Sequence, residues 1–309
     1  MRKFFAKLTL IYLLVTMAGC MFTGVESTKR ITEKEVQQAI GEIERRQPGI
    51  TLQPFNDSVP AWRVGKQFYV TDDNLRLILA DAETDTVHLA RQRLTYDGYE
   101  QGSVLDNRAT LTLLFKAQSG HIYRYRTGKT LQQFTRSFAV PLLIDLDMVA
   151  HVDSQLRGQQ LWVKTAIWYD LGTEDIRRGR QFIKVRIDSV VPGNKVFPLA
   201  VCFTALDGGE SAFMWMSDPN AVMPGRDFDS LFALRDPHES YPEISQHTWL
   251  LIQGGNLAVG MNKEECRLAV GPPKRISQLP NQAGLREYWY YDGGSYLYFV
   301  DGLLNQFRK

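Results

Sequence analysis

The sequence predicts an α+β, β-rich fold, in which two small antiparallel β-domains precede a helix packed on a three-stranded meander. Segments 110–126 and 199–216 each contain two apolar runs separated by a Gly-containing turn, which is typical of β-hairpins. Segment 262–271 has the cap residues of a helix, and three aromatic runs with Asp-Gly turns follow it. A chain of 309 residues can bury more than one core. We therefore expect a signal peptide at 1–19, a polar spacer at 20–54, β-domains at 55–150 and 151–250, and a helix-plus-meander module at 251–309.

The N-terminal segment is ordered as basic, apolar and small residues, which is typical of a secretory signal. Its apolar run at 8–15 is shorter than the roughly 20 apolar residues of a membrane-spanning helix. Ala18 and Gly19 stand directly before Cys20, and this ending resembles the bacterial lipobox, although Met17 replaces the usual Leu. The resemblance implies that the Cys20 thiol is diacylated and that Cys20 becomes the mature N-terminus. Ordinary cleavage with a free Cys20 is the alternative.

An acylated Cys20 predicts a protein that is anchored in the cell envelope. Two or three acyl chains suffice, because each buried methylene adds about 0.8 kcal/mol and a single chain holds only marginally. Met21, rather than Asp, follows the cysteine; by resemblance to enterobacterial sorting this favours the outer membrane, facing the periplasm. Residues 1–19 carry three of the 36 basic residues and no acidic ones, which leaves 33 against 34. A nearly neutral mature chain gives no reason to expect a nucleic-acid partner.

The spacer contains one candidate amphipathic helix. Thr32 and Glu35 have the spacing of a capping box, and apolar residues recur every three to five positions until Pro48. We interpret the segment as a spacer that lifts the body off the membrane, and a partner-binding helix is the alternative.

The two hairpin segments indicate an internal duplication. Residues 115–120 align with 203–208 at an offset of 88, and residues 65–70 align with 158–163 at an offset of 93. Two landmarks with nearly equal offsets are expected from a repeated β-domain of about 90 to 95 residues. Chance similarity between apolar strands bounded by Gly turns is the alternative.

No pattern of residues predicts catalytic chemistry, a metal site or a cofactor. Ser211 lies in a Gly-x-Ser sequence, but Phe213 stands where a nucleophile elbow needs its second glycine. Asp145 and Asp147 could hold a cation, yet without further nearby acids we expect solvated carboxylates. Five scattered histidines lack metal-ligand spacing: His88, His121, His151, His238 and His247.

Two cysteines remain in the mature body besides the acylated one. A periplasmic location would permit a disulfide between Cys202 and Cys266. Both stand in apolar surroundings, however, so we expect buried free thiols.

The C-terminal module begins with a well-defined short helix. Asn262 is a good N-cap with Glu265 three positions later, and Gly271 followed by two prolines ends the helix. Segments 287–291, 295–300 and 303–307 are the expected strands. In the middle strand both faces are apolar or aromatic, so we expect neither to lie open to water.

These residues together resemble the SmpA/OmlA (BamE-like) lipoprotein module. The resemblance rests on Gly260-Met261, Leu268, Gly271-Pro272-Pro273, a Glu-x-Trp-x-Tyr strand at 287–291 and a Leu-x-Phe strand ending at Asp301-Gly302. It covers about residues 250–309 and implies a helix pair on a three-stranded antiparallel sheet. The best-known member of the family is a subunit of the machine that folds outer-membrane β-barrels. Some 200 additional residues before the module and Cys266 at an aliphatic position depart from that family.

We therefore expect a non-enzymatic scaffold that binds other envelope proteins through exposed tyrosines. The binding residues predicted are Tyr288, Tyr290, Tyr296 and Tyr298, whereas Trp289 and Phe299 are predicted to lie in the core. A glycan- or cell-wall-binding protein would use the same aromatic residues for stacking. An extracytoplasmic hydrolase without a recognisable motif is the third class left open.

Overall fold

Three antiparallel sheets and four α-helices make up the described part of the chain. The structure is a computed structural model, and it describes residues 52–80, 88–104, 108–281 and 284–309. Cys20 and the predicted spacer helix lie outside the described residues, so their assignments stay predictions. Among the described helices, none combines the length and the apolar character that a bilayer span requires. The predicted β-rich α+β class is confirmed.

The first sheet has five antiparallel strands in the order β4-β3-β2-β1-β5. The predicted hairpin at 110–126 is confirmed as the β3–β4 pair. One side of the sheet packs on a core in which aromatic rings meet edge to face, as Phe68 and Phe115 do at 5.4 Å. The strands are β1 Gln67–Val70, β2 Arg93–Val104, β3 Arg108–Lys116, β4 Ile122–Arg126 and β5 Leu143–Asp145.

The second sheet has seven strands in the order β12-β6-β9-β10-β11-β7-β8. The predicted hairpin at 199–216 is confirmed as the β10–β11 pair. Helix α1, Leu146–Leu156, contacts β9 of this sheet and also β1 and β5 of the first sheet. The strands are β6 Gln160–Val163, β7 Ile167–Tyr169, β8 Ile176–Arg178, β9 Lys184–Pro192, β10 Leu199–Ala205, β11 Ser211–Met216 and β12 Phe232–Ala233, with α2 at Phe228–Leu231.

The first two sheets have matching strand orders and irregularities. The series β5-β1-β2-β3-β4 corresponds to β12-β6-β9-β10-β11, and the β7–β8 hairpin extends the far edge of the second sheet. In both sheets the second strand carries a bulge opposite a phenylalanine, with Asp97 as the extra residue opposite Phe115 and Asp188 opposite Phe203. Before the first strand, Gly65 and Gly158 have φ values of 97° and 79°, which a side chain would strain. A β-bulge and a left-handed glycine thus recur at equivalent positions.

The C-terminal region places two helices against a third, four-stranded sheet. The helices are α3 Gln246–Gln253 and α4 Lys263–Val270, and the strands are β13 Arg275–Asn281, β14 Gly284–Tyr290, β15 Tyr296–Val300 and β16 Leu303–Arg308. The capping box of Asn262 and Glu265 is confirmed, and Gly271 ends the helix as predicted, with a φ of 83°. The expectation of a three-stranded meander was wrong, because β13 adds an edge strand. Pro280 fits that position, since an edge strand tolerates a residue without an N–H.

A buried amide joins the second sheet to the C-terminal helices, within the single compact unit Thr51–Lys309. The Gln181 side chain donates from Nε2 to the Ile252 carbonyl at 2.9 Å, near the end of α3. The same nitrogen donates to the Leu268 and Ala269 carbonyls at 2.8 and 3.0 Å, near the end of α4. Carbonyls in the last turn of a helix have no intrahelical partner, so Gln181 supplies a donor to the Leu268 and Ala269 carbonyls. The Ile252 carbonyl also accepts from the Gly255 N–H at 2.8 Å.

Candidate binding face

The four predicted tyrosines lie together on the solvent side of the third sheet. Antiparallel pairing places Tyr288 directly opposite Tyr298, and Tyr290 directly opposite Tyr296. All four are half-buried, whereas Trp289, which alternates with them along β14, is 0% exposed. Successive side chains of a strand point to opposite faces, so the alternation separates these tyrosines from the core. We call this surface the tyrosine face and define it by Tyr288, Tyr290, Tyr296 and Tyr298.

Three of the four rings of the tyrosine face stack on one another. Tyr288 and Tyr298 have centroids 4.6 Å apart with an interplanar angle of 28°, and Tyr288 and Tyr290 lie 6.3 Å apart at 17°. Gln306 donates from Nε2 to the Tyr296 hydroxyl at 3.0 Å. Stacking covers part of these ring faces, and all four side chains stay partly exposed. The surface is therefore ordered before any partner arrives and offers polar groups beside apolar edges.

Arginines flank the tyrosines on the same side of the sheet. Arg275 pairs with Tyr290 in the register, and its guanidinium carbon lies 4.2 Å from the centre of that ring. At the opposite edge Arg308 pairs with Tyr296, and Arg286 lies two residues before Tyr288 on β14. Among the described residues, no carboxylate forms an ion pair with any of these three arginines. Sequence reasoning missed them, because only the strand register shows that they share the side of the tyrosines.

Apolar residues continue the same side beyond the tyrosines. Leu279, Arg286, Val300 and Leu303 form one row across the four strands. Leu279 and Leu303 at its ends are 54% and 53% exposed. An exposed leucine alone is ordinary, but these two lie on the same side of the sheet as the four partly exposed tyrosines and add apolar surface to it.

The opposite side of the same sheet holds a buried ion pair that fixes its geometry. Glu287 is 2% exposed, and its Oε2 accepts from Lys263 Nζ at 2.7 Å and from Gln278 Nε2 at 3.0 Å. Trp289 Nε1 donates to the other carboxylate oxygen. Burial raises the pKa of Glu287, but these hydrogen bonds outweigh burial and hold the pKa below its usual value. Glu287 ties α4 and β13 to β14 beneath the tyrosine face.

Asp145 and Asp147 are bound to a lysine that the sequence did not single out. Lys66 Nζ lies 2.7 Å from a carboxylate oxygen of each and 2.9 Å from one of Asp57, and its side chain is 3% exposed. Burial lowers the pKa of Lys66, but the carboxylates outweigh burial and raise the pKa above its usual value. The expectation of solvated carboxylates was therefore wrong for Asp145. No group of His, Cys, Asp and Glu in the described residues is arranged to hold a metal ion.

Ser211 has a hydroxyl rather than a histidine beside it. Its Oγ lies 2.9 Å from Thr204 Oγ1, and that hydroxyl donates to Asp188 at 2.6 Å. The carboxylate thus reaches Ser211 only through a second hydroxyl. This arrangement differs from a nucleophile paired with an oriented base.

The two described cysteines are free thiols, as predicted. Cys266 is buried under the third sheet, and burial raises its pKa to about 12. Cys202 is only half-buried, contrary to the expectation of full burial. A thiol with a raised pKa is a poor nucleophile, so Cys266 serves as a small apolar side chain in the core.

No protein-family model, curated protein or solved structure matches this chain.

Proposed function

We propose that the chain is a non-enzymatic envelope lipoprotein that binds another envelope protein through the tyrosine face. The observation that carries the proposal is the composition of this side of the sheet. It presents four tyrosines and three arginines but no lysine, aspartate or glutamate. The centres of protein interfaces are enriched in Tyr and Arg and depleted in Lys, Glu and Asp.

The order within the tyrosine face supports protein binding energetically. Each rotamer-rich side chain that a partner must immobilise costs about 0.5–1.5 kcal/mol. Tyr288, Tyr290 and Tyr298 already hold one another by stacking, so much of this cost does not arise on binding. This side of the sheet consists of three cross-strand rows, which contain Tyr290, Tyr288 and Arg286. Neighbouring strands lie about 4.8 Å apart and alternate residues of a strand about 7 Å apart, so the backbone of these rows spans roughly 14 by 14 Å. That extent suits the centre of an interface of about 800 Å² per partner.

The same stacking favours protein binding over glycan binding. A sugar ring stacks on a flat aromatic face that is open to solvent. The faces of Tyr288 and Tyr298 are turned toward each other at 4.6 Å, which leaves ring edges and hydroxyls for contact. Edges and hydroxyls suit the mixed apolar and polar surface of a protein better than the flat face of a sugar.

The anchor in this proposal is Cys20, acylated at the outer membrane with the body in the periplasm. The lipobox resemblance supports it, and so does the resemblance of residues 250–309 to the SmpA/OmlA module. A pair of helices against an antiparallel sheet agrees with that resemblance, whereas the fourth strand departs from it. Participation in outer-membrane assembly or maintenance is the role that this resemblance suggests.

We also infer that the first two β-domains, at 55–150 and 151–250, arose by duplication. The matched bulges at Asp97 and Asp188 and the matched glycines at Gly65 and Gly158 support this inference.

Crosslinking of intact envelopes followed by mass spectrometry tests the proposed function. The wild type is compared with Tyr288→Ala/Tyr298→Ala and with Tyr99→Ala, a matched control because Tyr99 is 41% exposed on the first sheet. We expect the double variant to lose its main protein crosslink while the control keeps it. Cys20→Ala should release the protein from the membrane. Crosslinks unchanged in the double variant would contradict the proposal.

A further inference from the structure

One row of residues across the third sheet has an arginine at each end and two residues of the tyrosine face between them. The register runs Arg275, Tyr290, Tyr296, Arg308 across all four strands. The outer strands are three strand spacings apart, so the two arginine backbones are separated by about 14 Å. Arg286 adds a third positive charge beside Tyr288. Two tyrosines therefore lie between two cationic side chains, and a third cation lies along the strand.

No negative charge on this side of the sheet offsets these cations. Glu287 is the single acidic residue in β13 to β16, and it points inward to Lys263. The second sheet differs, because there Arg186 pairs with Asp188 at 3.2 Å, and Arg177 pairs with Glu210 at 3.2 Å. These two arginines of the second sheet thus have carboxylate partners within the chain, whereas no ion pair with a described carboxylate involves the three arginines beside the tyrosines.

The chemistry of the guanidinium group indicates which groups of a partner would bind this surface. The group is planar, always charged and able to form two parallel hydrogen bonds to one carboxylate. Arg275 already rests on the Tyr290 ring, which holds its donors in a fixed plane. Contact with a partner would also exclude water from the neighbouring rings and strengthen each charged pair.

We propose that the partner is an acidic protein segment with carboxylates spaced to meet Arg275 and Arg308 while its apolar side chains cover the tyrosines. This inference rests on the proposed function of the tyrosine face. The exposed Leu279 and Leu303 favour a protein over an anionic polysaccharide, because a polysaccharide has no apolar side chains to cover them.

Peptide binding to the acylated full chain in a neutral detergent tests this inference. The probe is a labelled peptide of alternating Glu and Leu, compared with a Gln-Leu peptide of equal length. Arg275→Gln/Arg308→Gln is the test variant, and Arg93→Gln/Arg126→Gln is the charge-matched control, because both arginines are exposed on the first sheet. Thermal melts confirm that each variant folds.

We expect the Glu-Leu peptide to bind the wild type and the control with equal affinity, and the test variant about 10-fold or more weakly. Affinity for the wild type should fall with added salt, and this dependence should flatten in the test variant. The inference is overturned by absent binding, by equal binding of the Gln-Leu peptide, or by equal affinity in the test variant. It is also overturned if anionic vesicles or an acidic polysaccharide bind more tightly than the Glu-Leu peptide.

The two proposals fail in different ways. If the acidic peptide does not bind while the envelope crosslink still depends on Tyr288 and Tyr298, the acidic partner is wrong and protein binding stands. If the crosslink is independent of both tyrosines, the tyrosine face is not the binding surface and both proposals fall.

Discussion

The two sides of the third sheet are built from the same strands but serve different purposes. Toward the helices, Trp289 and Phe299 are fully buried at 0% exposure beside the buried carboxylate of Glu287. Toward solvent, the alternating positions carry stacked tyrosines that remain partly exposed. The inner side thus stabilises the fold, while the outer side is available for binding. A shift of one residue along a strand moves a side chain from one role to the other.

Replacing Trp289 should show the largest difference in stability between the inner and outer sides of the sheet. Trp289→Ala removes a fully buried indole and its hydrogen bond to Glu287, so we expect a loss of about 3–5 kcal/mol in the free energy of unfolding. Urea denaturation measures it. Tyr288→Ala, one residue earlier on the outer side, is the matched comparison, and an equal loss there would break the distinction between the sides.

Removing the buried carboxylate should have the next largest effect. Glu287→Ala leaves Lys263 and the Trp289 N–H without their acceptor, and Lys263 keeps 33% of its side chain exposed to water. We therefore expect a loss of about 2 kcal/mol, below the value for a fully buried pair. Glu100→Ala provides the control, because the Glu100–Arg124 pair is long, at 3.5 Å, and exposed. If Glu287→Ala and Glu100→Ala lower the free energy of unfolding by the same amount, Glu287 does not stabilise the inner side of the sheet.

Low pH should reduce the stability of the inner side of the sheet, because it protonates Glu287. Burial raises the pKa of Glu287, but its three hydrogen bonds outweigh burial and leave the pKa lowered. The stabilisation is fully present above the unfolded pKa, about 4.3, and is lost as pH falls through the folded pKa. The stability advantage of wild type over Glu287→Gln should therefore shrink from about pH 5 to about pH 3.

A non-titrating variant is the control for this pH dependence. Leu304→Ala removes a buried side chain of the same core without removing an ionisable group. Its difference from wild type should stay constant with pH. A Glu287→Gln difference that stays constant as well would contradict the lowered pKa.

Changes on the outer side should have the smallest effect on stability. Tyr288→Ala/Tyr298→Ala removes one stacked pair, and we expect a loss of about 1 kcal/mol or less in thermal or urea unfolding. Tyr298→Phe keeps the ring and should be within about 0.5 kcal/mol of wild type. Losses near those of Trp289→Ala would mean that the tyrosines serve the fold rather than binding.

Local signals in the sequence predicted much of this architecture. Asn262 and Glu265 marked the start of α4, and Asp301-Gly302 marked a tight turn in which both residues have positive φ, at 50° and 85°. β13 was missed because Pro280 interrupts a polar run that lacks the alternation of a half-buried strand. Local patterns sufficed where a single turn or cap decides the conformation.

Features that depend on strand pairing or distant contacts could not be predicted in the same way. Lys66 meets Asp145 and Asp147 about eighty residues later in the chain, so no local spacing marks the cluster. The row that joins Arg275 to Arg308 exists only through the register of four strands. The tyrosines were predicted from their strands alone, but their charged surroundings required the sheet.

Photocrosslinking from the outer side tests the central claim most directly. A photoreactive amino acid replaces Gln306, which is exposed beside Tyr296 and Tyr298, and a second variant carries it at Arg126 on the first sheet. After irradiation of intact envelopes, we expect one predominant protein adduct from position 306 and none from position 126. No adduct from position 306, or the same adducts from both positions, would contradict binding through the tyrosine face.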